Sequence, residues 1–334
     1  MAQLNPEAIW NLSEKELLSQ LETGTFKPRG KEIRFYAPSF TYYRTKHYCS
    51  QRNDFPTISV TGVACALKCK HCEGKVLETM HPALSPQELF ELGLKLKQNG
   101  AKGCLVSGGC LPDGSVPLGI FVPVLERFKQ ELGLTVFVHT GIIKQEMAVA
   151  LKDGGVDAAL IDVIGSAETV GKIYNLKVTV QDYADSLKAL QDARIPFVPH
   201  VIVGLNEGKL DGELRALRMI RQVKPSALVI IAFMPIHGTA MAKTTPPKPV
   251  DIAKVTAMAR QMFPEIPLVL GCMRPKGISR SETDVLALKA GVDAVAFPSE
   301  EAIKYAKSRD CKTSFSSYCC AQMYIDAVKN NSGF

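Results

Sequence analysis

From Pro56 onward the chain repeats one alternation. Eight apolar, largely β-branched runs (57–60, 104–107, 135–139, 158–164, 197–203, 228–233, 268–271 and 294–297) take turns with eight amphipathic stretches (86–98, 118–132, 144–153, 181–194, 212–223, 250–263, 281–290 and 300–309). Strands that are apolar at nearly every position belong in a parallel sheet covered on both faces. Eight such units over roughly 240 residues match the length of a closed (β/α)8 barrel. The spacing therefore predicts an α/β fold, a TIM-like (β/α)8 barrel over residues 56–310. Ahead of it, residues 5–21 carry Ile9, Leu12, Leu17, Leu18 and Leu21 at a loose helical period, and 31–37 reads as extended. Residues 1–55 are too few to bury much surface alone and read as a cap on the barrel. Residues 311–334 form a cysteine-containing tail.

One motif stands just beyond the first strand: Cys65-Ala-Leu-Lys-Cys69-Lys-His-Cys72. In a barrel, loops after strands line the mouth, where chemistry is carried. Three thiols at this spacing converge on one centre. Structural zinc takes four protein ligands, and a cubic iron–sulfur cluster has four corners, each normally held by a thiolate. This loop supplies three ligands and leaves one corner open to something else.

The chain has ten cysteines in 334 residues. That density in a chain of this length does not describe the disulfide framework of a small secreted domain. It points to metal ligation in a reducing, cytoplasmic compartment. Cys104, inside the second strand, reads as a small buried hydrophobe. Cys110 and Cys272 fall just past strand ends, and Cys319-Cys320 follow the last helix and can fold back toward the mouth. Cys110, Cys272, Cys319 and Cys320 together offer enough thiolates for a second cluster, with Cys49 and Cys311 as substitutes.

Other strand ends carry further candidates. Gly108-Gly109 follow the second strand, and paired glycines let a backbone approach a ligand closely. His139 closes the third strand. Asp162 interrupts the fourth, and a carboxylate there needs hydrogen bonds or solvent; ribose hydroxyls and an internal salt bridge both satisfy it. His200 and His237 are candidate catalytic groups, although a histidine at a strand end also serves as a hydrogen-bonder. Net charge is +7, mostly interspersed with acids, which suits an acidic protein partner through steering. No nucleic-acid motif is present. No apolar run approaches the roughly 20 residues of a membrane-spanning helix, and residues 1–15 lack a signal-peptide profile.

The C-x3-C-x2-C motif after a strand, at the head of a barrel, resembles the radical SAM superfamily, with His71 where an aromatic residue is common. Residues 55–62, Leu105-Val-Ser-Gly-Gly-Cys110, Asp162-Val-Ile-Gly, Pro199-His-Val-Ile-Val-Gly204, Leu270-Gly-Cys-Met-Arg-Pro275 and Cys319-Cys320 together resemble one subunit of the two-protein lipoyl synthase of archaea and some bacteria. The resemblance covers essentially residues 33–320. Val201-Ile-Val-Gly204-Leu-Asn-Glu207 resembles the superfamily's G-x-I-x-G-x-x-E segment without its first glycine. Residues 233–239 resemble the adenine-side loop of biotin-synthase-like members. The one-protein lipoyl synthase has a cysteine triplet ahead of the first motif, where this chain has only Cys49.

The resemblance implies that Cys65, Cys69 and Cys72 hold a [4Fe-4S] cluster that cleaves S-adenosyl-L-methionine (SAM). It implies that Gly108, Gly109, Asp162 and Gly204 border SAM. Cys110, Cys272, Cys319 and Cys320 would hold an auxiliary, sulfur-donating iron–sulfur cluster, with Arg274 beside it or the substrate. The implied reaction is sulfur insertion at C6 or C8 of an octanoyl chain. The implied partners are an octanoylated lipoyl domain or glycine-cleavage H protein, a second radical SAM subunit, and a reductant such as ferredoxin or flavodoxin; neither nucleic acid nor membrane is expected. Two rival readings stand: a biotin-synthase-like enzyme acting on a free small molecule, and a non-catalytic iron–sulfur carrier.

Overall fold

The computed structural model describes residues 5–50 and 53–331; residues 1–4, 51–52 and 332–334 of the expected cap and tail lie outside it. Among the described residues one sheet of eleven strands dominates. In chain order these are β1 (Glu32–Tyr36), β2 (Thr57–Ser59), β3 (His81–Pro82), β4 (Gly103–Ser107), β5 (Thr135–His139), β6 (Ala158–Asp162), β7 (Phe197–Val203), β8 (Leu228–Ala232), β9 (Leu268–Leu270), β10 (Ala294–Ala296) and β11 (Lys312–Ser316). Their spatial order is β11-β1-β10-β9-β8-β7-β6-β5-β4-β2-β3, with every pairing parallel. All eight predicted strands are present, and a helix follows each on the outside.

The period of two assigns each strand residue a face. Val136, Val138, Ala159, Ile161, Val201, Val203, Leu228, Ile230, Leu268 and Leu270 pack toward the helices. Their alternates Phe137, Ala158, Leu160, Val198, Val229, Val269, Ala294 and Ala296 form a second apolar cluster on the inner face. Helix starts follow local chemistry. Pro86 opens Pro86–Gln98, where Ser85 Oγ accepts the Glu88 N–H at 3.2 Å, a proline at the first turn behind a serine cap. At the N-terminus the expected single helix is two, Pro6–Asn11 and Glu14–Glu22. Ser13 restarts it through a capping box, its N–H donating to Glu16 Oε2 at 2.8 Å.

Two features depart from a closed ring with separate cap and tail. First, the sheet is curled but open: β11 and β3 are its ends, and no pairing joins them among the described residues. β3 has two residues, and its Pro82 has no N–H to extend the ladder. Second, β1 and β11, from the segments read as cap and tail, are members of the sheet. Phe35 of β1 is in register with Val295 and Phe315 on its two sides. The extended backbone of 32–36 needs partners for its polar groups, and the edge at β10 supplies them.

Beyond β11 the chain folds back, as expected, but onto the inner face of the sheet. Cys320, Ala321 and Met323 join the inner cluster, and the helix Met323–Asn331 follows. Tyr36 Oη donates to Asp326 Oδ2 at 2.6 Å, Arg34 Nη1 stands 3.3 Å from the same oxygen, and the Tyr324 hydroxyl bonds the Asp157 carbonyl. Asp157 immediately precedes β6, so through Tyr324 this segment reaches the base of the lumen. What remains open is the other end, where the strand C-termini converge.

Candidate active site

The three-cysteine loop occupies that open end, following β2. Its course is fixed by turns: Lys68 and Glu73 adopt positive φ (46° and 45°), and the Cys72 and Glu73 N–H groups both donate to the Cys69 carbonyl. Neighbouring loops hold it from outside. Lys70 N–H donates to Ile173 O at 2.8 Å, Ala66 N–H to Cys110 O at 2.9 Å, and Glu73 Oε1 accepts the Ala240 N–H at 2.7 Å. Loops after β4, β6 and β8 thus grip one short segment. The Cys69 and Cys72 sulfurs and a His71 ring nitrogen lie within 4.8 Å of one another, with Cys65 outside that group.

Electrostatics favour a cation at this point. A hydrogen bond from the Cys69 thiol holds Cys72 down to about 4 against the opposing effect of burial, with His71 assisting. The same hydrogen bond and burial push Cys69 far up. His71 packs against the Tyr174 ring, centroids 5.2 Å apart, so an imidazole takes the place of an aromatic ring there. Its Nδ1 is buried without a hydrogen-bond partner, as is the Tyr174 hydroxyl. Tyr174 drew no attention in the sequence, since it lies in an unpatterned stretch between two helices.

The paired glycines serve the loop. A Cβ on Gly109 would stand 2.0 Å from the Ala64 carbonyl oxygen and 2.6 Å from Cys65 Cβ. Gly109 N–H is also engaged, donating to Thr61 Oγ1 at 2.7 Å. Gly204, at φ +71°, has its N–H bonded to Glu213 Oε1 at 2.8 Å. Glu207, the glutamate of the G-x-x-E segment, instead pairs with Lys172 at the surface, 2.9 Å away. Glu213 was missed because it sits nine residues on, at the start of a helix.

His139, Asp162 and His200 converge on the inner face, their ligating atoms within 4.8 Å of one another. Burial acts to raise Asp162, but His139 and His200 outweigh it and leave the carboxyl below its ordinary value. Burial pushes His200 down to about 4, so its ring is neutral near pH 7. His237 is exposed, away from this group.

Of the remaining thiols, Cys272, Cys319 and Cys320 come together. Cys272 is raised by its hydrogen bond with Cys320 and by burial; Cys320 is lowered by that bond and raised more strongly by Cys319 and burial. Cys110 lies with the first motif instead: burial, then the charges of Cys65, Asp162 and Cys72, push it up to about 12. Cys104 is fully buried in β4. Cys49 is exposed beside Tyr42, and Cys311 precedes β11 at the opposite end of the strands. Arg274, expected beside a cluster or substrate, is 0% exposed with its donors committed to Asp284, Gly271 O, Ala296 O and Phe297 O. Its charge opposes, without outweighing, the effects that raise Cys272 and Cys320.

Three thiols in one gripped loop and an orphaned buried nitrogen beside them suit an iron–sulfur cluster with one corner left to a small ligand. The comparisons agree. Residues 59–218 match the profile of the Radical SAM superfamily. The biotin synthase of Vesicomyosocius okutanii subsp. Calyptogena okutanii is 25% identical over 275 residues, 80% of this chain and 81% of that protein. That of Neorickettsia sennetsu is 25% identical over 250 residues, 72% and 74% of the two chains. Among solved structures, methylornithine synthase (PylB) aligns over 94% of this chain and 95% of its own, with TM-score 0.62 and 14% identity. HydG, a maturase of the [FeFe]-hydrogenase, aligns over 97% and 74%, with TM-score 0.63 and 16% identity.

Proposed function

Because residues 59–218 form a radical SAM domain, we propose that this enzyme inserts sulfur into an octanoyl chain carried on a lipoyl domain or glycine-cleavage H protein, as one subunit of a two-protein lipoyl synthase. Bound at the first motif, a [4Fe-4S] cluster and SAM would supply the radical chemistry needed to remove hydrogen from an unactivated carbon. Cys65, Cys69 and Cys72 would hold that centre, and the segments following β4, β6 and β8 fix the loop that carries them. The inner-face cluster, with the C-terminal segment folded into it, closes the base of the lumen against water. The walls would orient a bound chain and exclude water from it, which is the protein's share in such chemistry.

The observation that carries the sulfur-inserting reading is the second thiol group. Cys272, Cys319 and Cys320 gather at the same lumen, with Cys320 in hydrogen-bond contact with both Cys272 and Cys319. They are the residues that would hold an auxiliary cluster, with Cys110 assigned to the first motif. A ferredoxin- or flavodoxin-type reductant and a second radical SAM subunit complete the proposed system. Incubating the anaerobically reconstituted protein and its second radical SAM subunit with SAM, reductant and an octanoylated lipoyl-domain peptide tests this. Sulfur incorporation matched by 5′-deoxyadenosine supports it; cleavage of SAM without sulfur transfer overturns it.

The similarity to biotin synthases favours one second reading, sulfur insertion into a free small molecule. Turnover of a free acid and none of the carrier-bound chain would select it.

A further inference from the structure

Three neighbouring strands send exposed chain over one side of the mouth. β1, β10 and β9 are adjacent and parallel, so residues 37–49, 297–299 and 271–280 all leave from their C-terminal ends. Phe297 is the pedestal on which these segments meet. The Phe40 ring packs edge-on against it with centroids 5.5 Å apart, the Tyr43 ring lies at 5.8 Å, and Tyr43 Oη donates to the Pro298 carbonyl at 2.6 Å. From the third segment, Arg280 Nη2 donates to the Phe297 carbonyl at 2.8 Å. Phe297 itself is buried and holds φ +48°, a conformation that a bulky side chain seldom adopts.

What this platform raises to the surface is apolar and basic. Ile278 is 93% exposed and Tyr42 64%, and Phe40 is exposed as well. Residues 37–49 contain Arg44 and Lys46, residues 271–280 contain Arg274, Lys276 and Arg280, and none of the three segments contains an aspartate or glutamate. Arg44, Lys46 and Lys276 are exposed. Arg280 is in no ion pair among the described residues; the buried carboxylate of its own helix, Asp284, is taken by Arg274 and by the Ser299 N–H. At the start of the next helix, Glu300 accepts the Lys46 N–H and Glu301 the Ser281 hydroxyl, while Glu282 is exposed. The balance is positive.

Exposed tyrosine and isoleucine among arginines, over a buried aromatic, have the make-up of a protein-binding hot spot. Cations without partners select an acidic face and speed its arrival. We propose that this rim, built from Phe40, Tyr42, Arg44, Lys276 and Ile278 around Phe297, is where an acidic face of the acyl-carrying protein docks. The inference rests on the carrier-bound reading given above and assigns the carrier its place. The segment that holds Lys276 and Ile278 also holds Cys272, so a carrier seated there presents its lysine-linked chain at the second thiol group. A free small molecule needs no such surface.

Anaerobically reconstituted protein, without SAM or reductant, is titrated with octanoylated lipoyl domain, and the dissociation constant is read by calorimetry at low and at high salt. Variants are first matched to the unaltered protein in iron content. Binding about tenfold weaker is expected in Tyr42→Ala, in Ile278→Ser and in Arg44→Glu/Lys276→Glu, with the salt dependence flattened in the charge variant. Ile120, 67% exposed between β4 and its helix, is the control, and Ile120→Ser is expected to bind within about twofold of normal. Carrier bound equally well by the rim variants overturns the surface and leaves the sulfur-inserting reading standing. No binding by the unaltered protein also overturns the surface, and sulfur incorporation then decides whether the reading falls with it. Rim variants that keep the carrier but lose the second radical SAM subunit in a parallel titration would make the rim a subunit joint and refute the proposal.

Discussion

Arg274 and Asp284 form an ion pair with no side-chain exposure on either partner, Arg274 Nε lying 2.7 Å from Asp284 Oδ1. The other carboxylate oxygen accepts the Ser299 N–H at 2.8 Å, and the guanidinium reaches Gly271 O at 2.5 Å and Ala296 O at 2.7 Å. The pair therefore ties the ends of β9 and β10 together directly behind Cys272. Removing one partner of such a pair strands a buried charge and costs about 3–5 kcal/mol. Asp284→Ala is expected to lose that much in urea unfolding, and the double variant Arg274→Met/Asp284→Leu to lose less. Equal losses would show that packing, not charge, dominates here.

The contact of Gly109 with the motif loop separates two adjacent glycines. An added methyl at Gly109 meets backbone of Ala64 and Cys65 at 2.0 and 2.7 Å, whereas at Gly108 it meets the Thr61 side chain at 3.1 Å. Backbone cannot yield as a side-chain tip can, so Gly109→Ala must displace Cys65. Iron content after reconstitution is expected to fall severalfold in Gly109→Ala and to stay within about a quarter of normal in Gly108→Ala, by the small-to-large logic of packed sites. Parallel losses in both would mean that the pair acts through ligand contact instead.

The alternation that announced a barrel was legible because parallel strands are apolar on both faces, and all eight appear where the pattern put them. The motif loop was legible because its ligands are close in sequence. What stayed hidden depends on distance along the chain. β1 and β11 read as cap and tail because 32–36 and 312–316 lack long apolar runs and pair across 280 residues. The partition of cysteines follows from which strand each one trails. Cys110 follows β4, beside β2 and its loop, while Cys272 follows β9 and meets a C-terminal segment whose inward course no local pattern reveals. Glu213 likewise gave no signal, since its partner is the backbone N–H of Gly204.

Glu213 carries a pH signature. Burial raises its carboxyl to about 7 from 4.5, against the lowering effect of the Gly204 N–H. A carboxyl raised on folding binds its proton more tightly in the native state. Its stabilising contribution is complete below about pH 4.5 and is lost as pH rises through about 7. The change across that window is at most about 3 kcal/mol, at 1.36 kcal/mol per pKa unit. Glu213→Gln, which keeps an oxygen for Gly204 and cannot ionise, is expected to flatten the fall in urea midpoint between pH 5 and pH 8. An unchanged slope would assign the pH dependence to other groups.

The grouping of thiols makes opposite demands on Cys110 and Cys272. Cys272 interacts with Cys320, and Cys320 with Cys319, whereas Cys110 is held against the first motif through its carbonyl and the fields of Cys65 and Cys72. If the first three thiols hold one cubic cluster and the second three another, each carries about four irons. Cys272→Ala and Cys320→Ala are then expected to lose about four irons per chain while still cleaving SAM to 5′-deoxyadenosine, with sulfur transfer abolished. Cys65→Ala, Cys69→Ala and Cys72→Ala are expected to stop SAM cleavage and leave about four irons in place. Cys110→Ala should keep the second set of irons intact, because its thiol lies with Cys65 and Cys72. Loss of those irons in Cys110→Ala would restore it to the auxiliary set and refute the division of the thiols made here.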